Sequence, residues 1–174
     1  MQIIKWGLQL VGFGIAIFAS LLIAGIIANR LPLSDPPGLA TRLSTYLNTH
    51  VAEMTEDSPF AELRLRHYEA PDGLLFDIVR RAVQGLKWEV IGSDASTKEM
   101  QAVVTTKIWH FQDDVSIQVR PAQPSGSVLW VRSVSRVGKG DLGANTRHVM
   151  DLIEAVNAIA PTQVLTPLQQ KSGE

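Results

Sequence analysis

The sequence predicts an α+β protein: a single N-terminal transmembrane helix, then a small domain with an antiparallel sheet of about four to five strands and two helices packed on one face. Three observations predict it. A long uncharged apolar run opens the chain, residues 63–136 contain short alternating segments separated by turn residues, and helix-periodic stretches stand among and after them.

The opening run, WGLQLVGFGIAIFASLLIAGIIA at residues 6–28, holds no charge and only Gln9 and Ser20 as polar side chains. At about 1.5 Å rise per residue it can span a hydrocarbon core about 30 Å thick. It exceeds the roughly 7–15 apolar residues of a cleaved signal peptide, and no clean small-x-small cleavage site follows it. The expectation for residues 1–30 is therefore an uncleaved anchor. Lys5 lies on one side and Arg30 and Arg42 on the other. An anchor at the start of a folded domain leaves a short tail inside and exports the domain, which points to a single-pass protein of the bacterial inner membrane with its domain in the periplasm. Gly12, Ala16, Ser20, Ala24 and Ala28 recur every four residues, and small residues let a second membrane helix approach closely. The same row also follows from a composition rich in Gly, Ala and Ser.

Residues 31–62 read as a linker. Pro32, Pro36, Pro37 and Gly38 stop the helix and favour an extended spacer that lifts the domain off the bilayer. Leu39, Leu43, Tyr46 and Leu47 at helical spacing suggest a short amphipathic helix, either at the membrane surface or packed on its own domain. The α+β domain is expected over residues 63–161. LRLRHYEA alternates as a strand, and APDG, with Asp72 as cap, opens a helix carrying Leu75, Ile78, Val79, Ala82, Val83 and Leu86. Trp88, Val90 and Ile91 start the next strand and GSDASTK turns it. MQAVVTTKIWHF, DDVSIQVRP and VLWVRSVSR are three more, the last two joined by AQPSGS. A final helix buries Val149, Leu152, Ile153, Val156 and Ile159 and stops at Pro161, and residues 162–174 read as a loose tail.

Composition excludes several functions. With 16 Lys+Arg against 17 Asp+Glu the net charge is −1, so no global field draws the chain to nucleic acid. The absence of cysteine removes thiol catalysis, disulfides and thiolate metal sites. His50, His67, His110 and His148 are far apart and lack metal-ligand spacing, so each is expected to be an ordinary surface or half-buried residue, and neither metal nor cofactor is expected. Asp113 and Asp114 are neighbours on a strand and point apart. No serine sits in GxSxG or SxxK, and GKGDLG lacks the spacing of a phosphate-binding loop. No enzyme is expected.

The densest chemistry lies in VRSVSRVGKGDLGANTRHV, residues 131–149. Strand alternation puts Val128, Trp130, Arg132, Val134 and Arg136 on one face and Leu129, Val131, Ser133 and Ser135 on the other. The preceding strand puts Asp114, Ser116, Gln118 and Arg120 on one face and Asp113, Val115, Ile117 and Val119 on the other. The economical reading is a cross-strand ion-pair ladder in which Asp113 or Asp114 meets Arg132 or Arg136. Gly138 and Gly140 then turn the chain, Asp141 or Asn145 caps the last helix, and Arg147 in its first turn calls for a carboxylate or another anion. The alternative uses the same atoms: Arg136, Lys139 and Arg147 around free helix N–H groups would hold a phosphate, a carboxylate or a lipid head group.

DDV at 113–115, SVSRVG at 133–138, DLGAN at 141–145 and Arg147 stand in the order and approximate spacing of one uncharacterised family. Over roughly residues 67–160 the chain resembles the domain of unknown function family 1499, found in bacteria and plastids, and SRVGKGDLGANTR is the most specific part. Members often carry two cysteines upstream of the first strand, where this chain has EDSPFAELRLRHY. The resemblance implies a fold region and an envelope or plastid location, and no reaction. The expected function is a non-enzymatic accessory or assembly subunit, held in the lipid bilayer and docked on other integral membrane proteins, with respiratory or photosynthetic complexes as candidates.

Overall fold

The computed structural model describes residues 2–106 and 110–160. Helix α1, Gln2–Ala28, contains the apolar run, and its Lys5–Ala28 part is long and apolar enough to cross a membrane. Residues 5–21 are exposed, Leu22 is half-buried, and in the last turn Gly25 and Ile26 are buried.

Residues 31–38 do not form an extended spacer. They make successive turns, with Leu33 N–H donating to the Leu31 carbonyl at 2.9 Å and Gly38 N–H to that of Asp35 at 2.9 Å. Arg42 gathers this segment, donating from Nε to the Asp35 carbonyl at 3.0 Å and from Nη2 to that of Pro36 at 2.7 Å. Three prolines stiffen a chain without choosing its direction, and here carbonyls presented to a buried guanidinium choose it. Helix α2, Leu39–Asn48, folds back on the domain with Arg42 and Tyr46 inward and Leu39 and Leu47 outward.

Strand β1, Val51–Glu53, also lies in the stretch read as linker, and it pairs with β6, Ser127–Ser135. The ordered domain thus begins well before residue 63. Three residues are too few to show an alternation. After a 3₁₀ turn at Ala61–Leu63, β2, Arg66–Tyr68, pairs with the same edge of β6 nearer its start. The six-stranded antiparallel sheet runs β1-β6-β5-β4-β3, with β3 Glu89–Asp94, β4 Glu99–Thr105 and β5 Gln112–Pro121. Helices α3, Asp72–Gly85, and α4, Ala144–Ile159, cover one face. β4 ends at Thr105, and His110, at φ 53°, lies outside any strand, so the strand expected over residues 100–111 does not run to Phe111; residues 107–109, the stop at Pro161 and the tail 162–174 lie outside the described residues.

One cap differs from expectation. Pro71 holds the N-cap position of α3 with φ −56° and ψ 146°, which makes Asp72 the first helical residue. There its carboxylate accepts the Gly73 N–H at 2.9 Å and pairs with Lys98 at 3.1 Å, a favourable place for an acid at the positive end of the helix.

The core follows the period-2 pattern. Leu129 and Val131 of β6 and Val115, Ile117 and Val119 of β5 are at most 2% exposed, packed against Leu75, Val79 and Val83 of α3 and Val149, Leu152 and Val156 of α4. The opposite face carries half-exposed Ser116, Gln118, Trp130 and Arg132.

Candidate functional site

The charged residues of β5 and β6 separate by face. On the outer face Arg136 grips Asp114, Nη2 to Oδ1 at 2.7 Å with Nε at 3.1 Å from both oxygens, and this holds the Asp114 carboxyl below its ordinary range. Arg132 does not join that pair. It reaches Glu53 at 3.2 Å, its direct cross-strand neighbour in β1, and so meets none of Asp113, Asp114 and Asp141. Arg120 lies toward the far end of β5, donating to Gln118 and resting 5.6 Å from the Trp130 ring centroid. The ladder is therefore two separate surface pairs and one stacked arginine.

Asp113 points the other way, into the core, at 1% exposure. Neither oxygen has a hydrogen-bond partner among the described residues; the imidazole Nδ1 of His148 lies 3.6 Å away. Burial pushes the Asp113 carboxyl up and pushes His148 down to about 4, the latter reinforced by Arg147. Ser133 Oγ lies 3.4 Å from the same Nδ1 and donates to Asn145 Oδ1 at 2.6 Å. Asp113, His148 and Ser133 therefore do not form a nucleophile relay. Such a relay needs the acid and the hydroxyl on opposite imidazole nitrogens and an accessible hydroxyl, whereas both neighbours here approach Nδ1 and Ser133 is fully buried.

Asn145 is the hub of this buried network. Its Nδ2 lies at donor distance from the Asp141 carboxylate at 2.7 Å, Ser135 Oγ at 2.8 Å and the His50 carbonyl at 2.9 Å. One side chain thereby ties β6, the strand-to-helix loop, α4 and the residue before β1. Asp141 in turn accepts the N–H of Gly143 at 2.8 Å and of Asn145 at 3.0 Å, the capping role expected of it. Its carboxyl is raised by burial, with those N–H groups opposing the shift. Arg147 finds its carboxylates within its own helix, Asp151 at 2.6 Å and Glu154 at 2.7 Å. Lys139 stands exposed at the loop tip.

Residues 138–143 are a joint in a literal sense. Asp141 N–H donates to the Thr49 carbonyl and Leu142 N–H to that of Tyr46, which fastens the loop to the end of α2. Gly140 lies so close to the Leu47 carbonyl that no β-carbon fits, and Gly143, at φ 83°, faces Leu31 and Tyr46. The Leu142 carbonyl accepts Asn29 Nδ2 at 2.9 Å, which fastens the loop to the end of α1. Gly12, Ala16, Ser20, Ala24 and Ala28 are all exposed on α1.

A second buried centre had no signal in the spacing of the apolar residues. Arg42, fully buried, meets Glu62 at 2.5 and 3.2 Å, donates to the Tyr46 hydroxyl at 3.0 Å and lies 5.1 Å from the Phe60 ring centroid. Ser133 and Ser135 were visible in the sequence as polar residues sharing a face with Leu129 and Val131, and polar groups on a core face require partners. Among the described residues no group of His, Cys, Asp and Glu could hold a metal ion.

The family model described as "Protein of unknown function (DUF1499)" matches residues 33–156, from the turns before α2 into the last turns of α4. No curated protein matches the chain.

Proposed function

The chain belongs to this family of unknown function, and from that premise we propose a non-enzymatic, membrane-anchored accessory or assembly subunit that docks on a larger membrane protein complex through its transmembrane helix and its domain. The observation that carries the reading is the fastening of α1 to the domain: Gly25 and Ile26 are buried and Asn29 bonds Leu142, while residues 5–21 of the helix are exposed. A cleaved leader would have no reason to pack on the mature fold, so the contact favours a retained anchor. A domain held firmly on a helix whose sides are free suits a subunit that offers both surfaces to one partner. The exposed row of Gly12, Ala16, Ser20, Ala24 and Ala28 would let a partner helix come close. The setting that fits is a bacterial inner membrane with the domain on the periplasmic side, and respiratory or photosynthetic complexes are the candidate partners.

The anion-binding alternative draws less support. Arg136 and Arg147 already hold carboxylates, and Asp141 occupies N–H groups at the start of α4. Purification of the tagged full chain in mild detergent, with mass spectrometry of what accompanies it, tests the docking reading. A membrane protein in constant proportion, lost when Gly12→Leu and Ala16→Leu are introduced together, is the expected result. A monomer with no companion would sink it.

A further inference from the structure

The apolar part of α1, Lys5–Ala28, is 24 residues long, about 36 Å at the rise of an α-helix, against a hydrocarbon core of about 30 Å. Its last turn therefore sits at the edge of that core. In that turn Gly25 lies so close to the strand-to-helix loop that an added β-carbon would stand 2.7 Å from Leu142 Cδ1, and the Asn29 amide reaches the Leu142 carbonyl one turn later. The loop cannot be at the edge of the hydrocarbon without bringing its end of the domain into the head-group layer.

What that end exposes fits such a place. Arg136 N–H donates to the Gln112 carbonyl, so one step further along each strand Phe111 and Val137 emerge together, 50% and 56% exposed. Leu47, whose carbonyl touches Gly140 three residues after Val137, is 44% exposed. Arg30 and Lys139 are exposed at the same end. The other end of the sheet, residues 94–99 and 121–127, carries no large apolar residue. Apolar side chains mixed with cations are the composition that interfacial membrane contacts use.

We propose that this end of the domain is a lipid-contacting surface, with Leu47, Phe111 and Val137 entering the interfacial layer of the bilayer while Arg30 and Lys139 reach lipid phosphates. The surface makes the domain lie against the membrane instead of standing off it. The inference rests on α1 being a retained membrane helix, and the test separates the two. Because the chain has no cysteine, single labels can be placed cleanly at Ile15→Cys, Phe111→Cys, Val137→Cys and Ser96→Cys. Each full-length variant, carrying an environment-sensitive fluorophore, is reconstituted alone into nanodiscs of phosphatidylcholine and phosphatidylglycerol. Lipids with a nitroxide near the head group or deep in the acyl chain then act as quenchers.

The expected pattern is deep quenching at residue 15, shallow quenching at 111 and 137 severalfold above that at 96, and weaker quenching at 137 in purely zwitterionic lipid. If residue 15 is quenched while 111 and 137 behave like 96, the lipid-contacting surface is wrong and the anchor stands; a partner protein is then the better occupant of the patch. If residue 15 is not quenched, anchor and surface fall together. Quenching at 137 that is indifferent to the anionic lipid overturns the role given to Arg30 and Lys139.

Discussion

Two ion pairs of nearly equal length, Arg42 with Glu62 at 2.5 Å and Arg136 with Asp114 at 2.7 Å, stand in opposite surroundings. The first pair is 0% and 9% exposed, the second 42% and 48%. Glu62→Ala leaves a guanidinium buried without its counter-charge and is expected to cost about 3–5 kcal/mol. Arg136→Ala opens an exposed pair and is expected to cost at most about 1 kcal/mol. Urea unfolding of both variants checks the contrast. His148 supplies a pH dependence whose sign is determined. Its pKa falls from 6.5 to about 4 on folding, through burial first and Arg147 second. A base shifted downward contributes stability in full above pH 6.5 and loses it as pH falls toward 4, a span of about 3 kcal/mol. Asp113, whose carboxyl is raised by burial, acts in reverse: its contribution is present at low pH and disappears as pH rises through its folded value. Melting curves should therefore show Asp113→Asn more stable than the parent at pH 7, and His148→Gln without the acid slope between 6.5 and 4. Arg136 was legible because alternation along two adjacent strands puts it on the face of Asp114, and Asp141 because its role spans one helix turn. Arg42 was not, since a charged side chain among leucines at helical spacing looks like the solvated face and no strand pairing points to Glu62 as its partner. Asn145 carries the sequence signal of a cap alone, because its partners converge from elements far apart in the chain.

Helix α2 and strand β1 show where element reading failed and why. β5 and β6 were legible as strands with correct faces because one face of each is core, and alternation over nine or ten residues is unmistakable. β1 has three residues, and Arg132 went to the unforeseen Glu53 because that strand was unseen. α2 was correctly expected as a helix, but its inward face is Arg42 and Tyr46 and not a leucine stripe. The approach of Gly140 to the Leu47 carbonyl gives a test of this packing. Gly140→Ala must push α2 from the loop, breaking the bonds from Asp141 and Leu142 to Thr49 and Tyr46. Hydrogen exchange should show faster exchange at residues 141 and 142 while β4 and β5 stay protected. Asn145→Ala should unfasten the same elements from the other side, by about 1–3 kcal/mol for each buried polar group left without a partner.

At the scale of the molecule, α1 meets the domain at Leu142. Spin labels at Ile17→Cys and Ser96→Cys should give a narrow distance distribution in nanodiscs, and Gly25→Leu with Asn29→Ala should broaden it. No period or composition announced this coupling, because it depends on how the turns at residues 31–38 aim the chain, a matter of a few carbonyls meeting Arg42. The sheet itself has unequal margins. One side of β6 is covered twice, by β1 and β2, whereas among the described residues β3 has no neighbour beyond it. Its ladder with β4 slips between Val90 and Gly92, so that Ile91 is an extra residue, 55% exposed. Such a bulge twists an open margin out of register with any incoming strand. Confinement makes this matter more than it would in solution. On the anchored reading proposed above, copies diffusing in a plane would all stand the same way up, their open margins at one height, so sideways encounter would be frequent and already oriented. Deleting Ile91 would bring Val90 and Gly92 into unbroken pairing with Ala102 and Gln101, straightening the margin. Chemical crosslinking in vesicles should then yield dimers joined through β3 that the parent chain does not form.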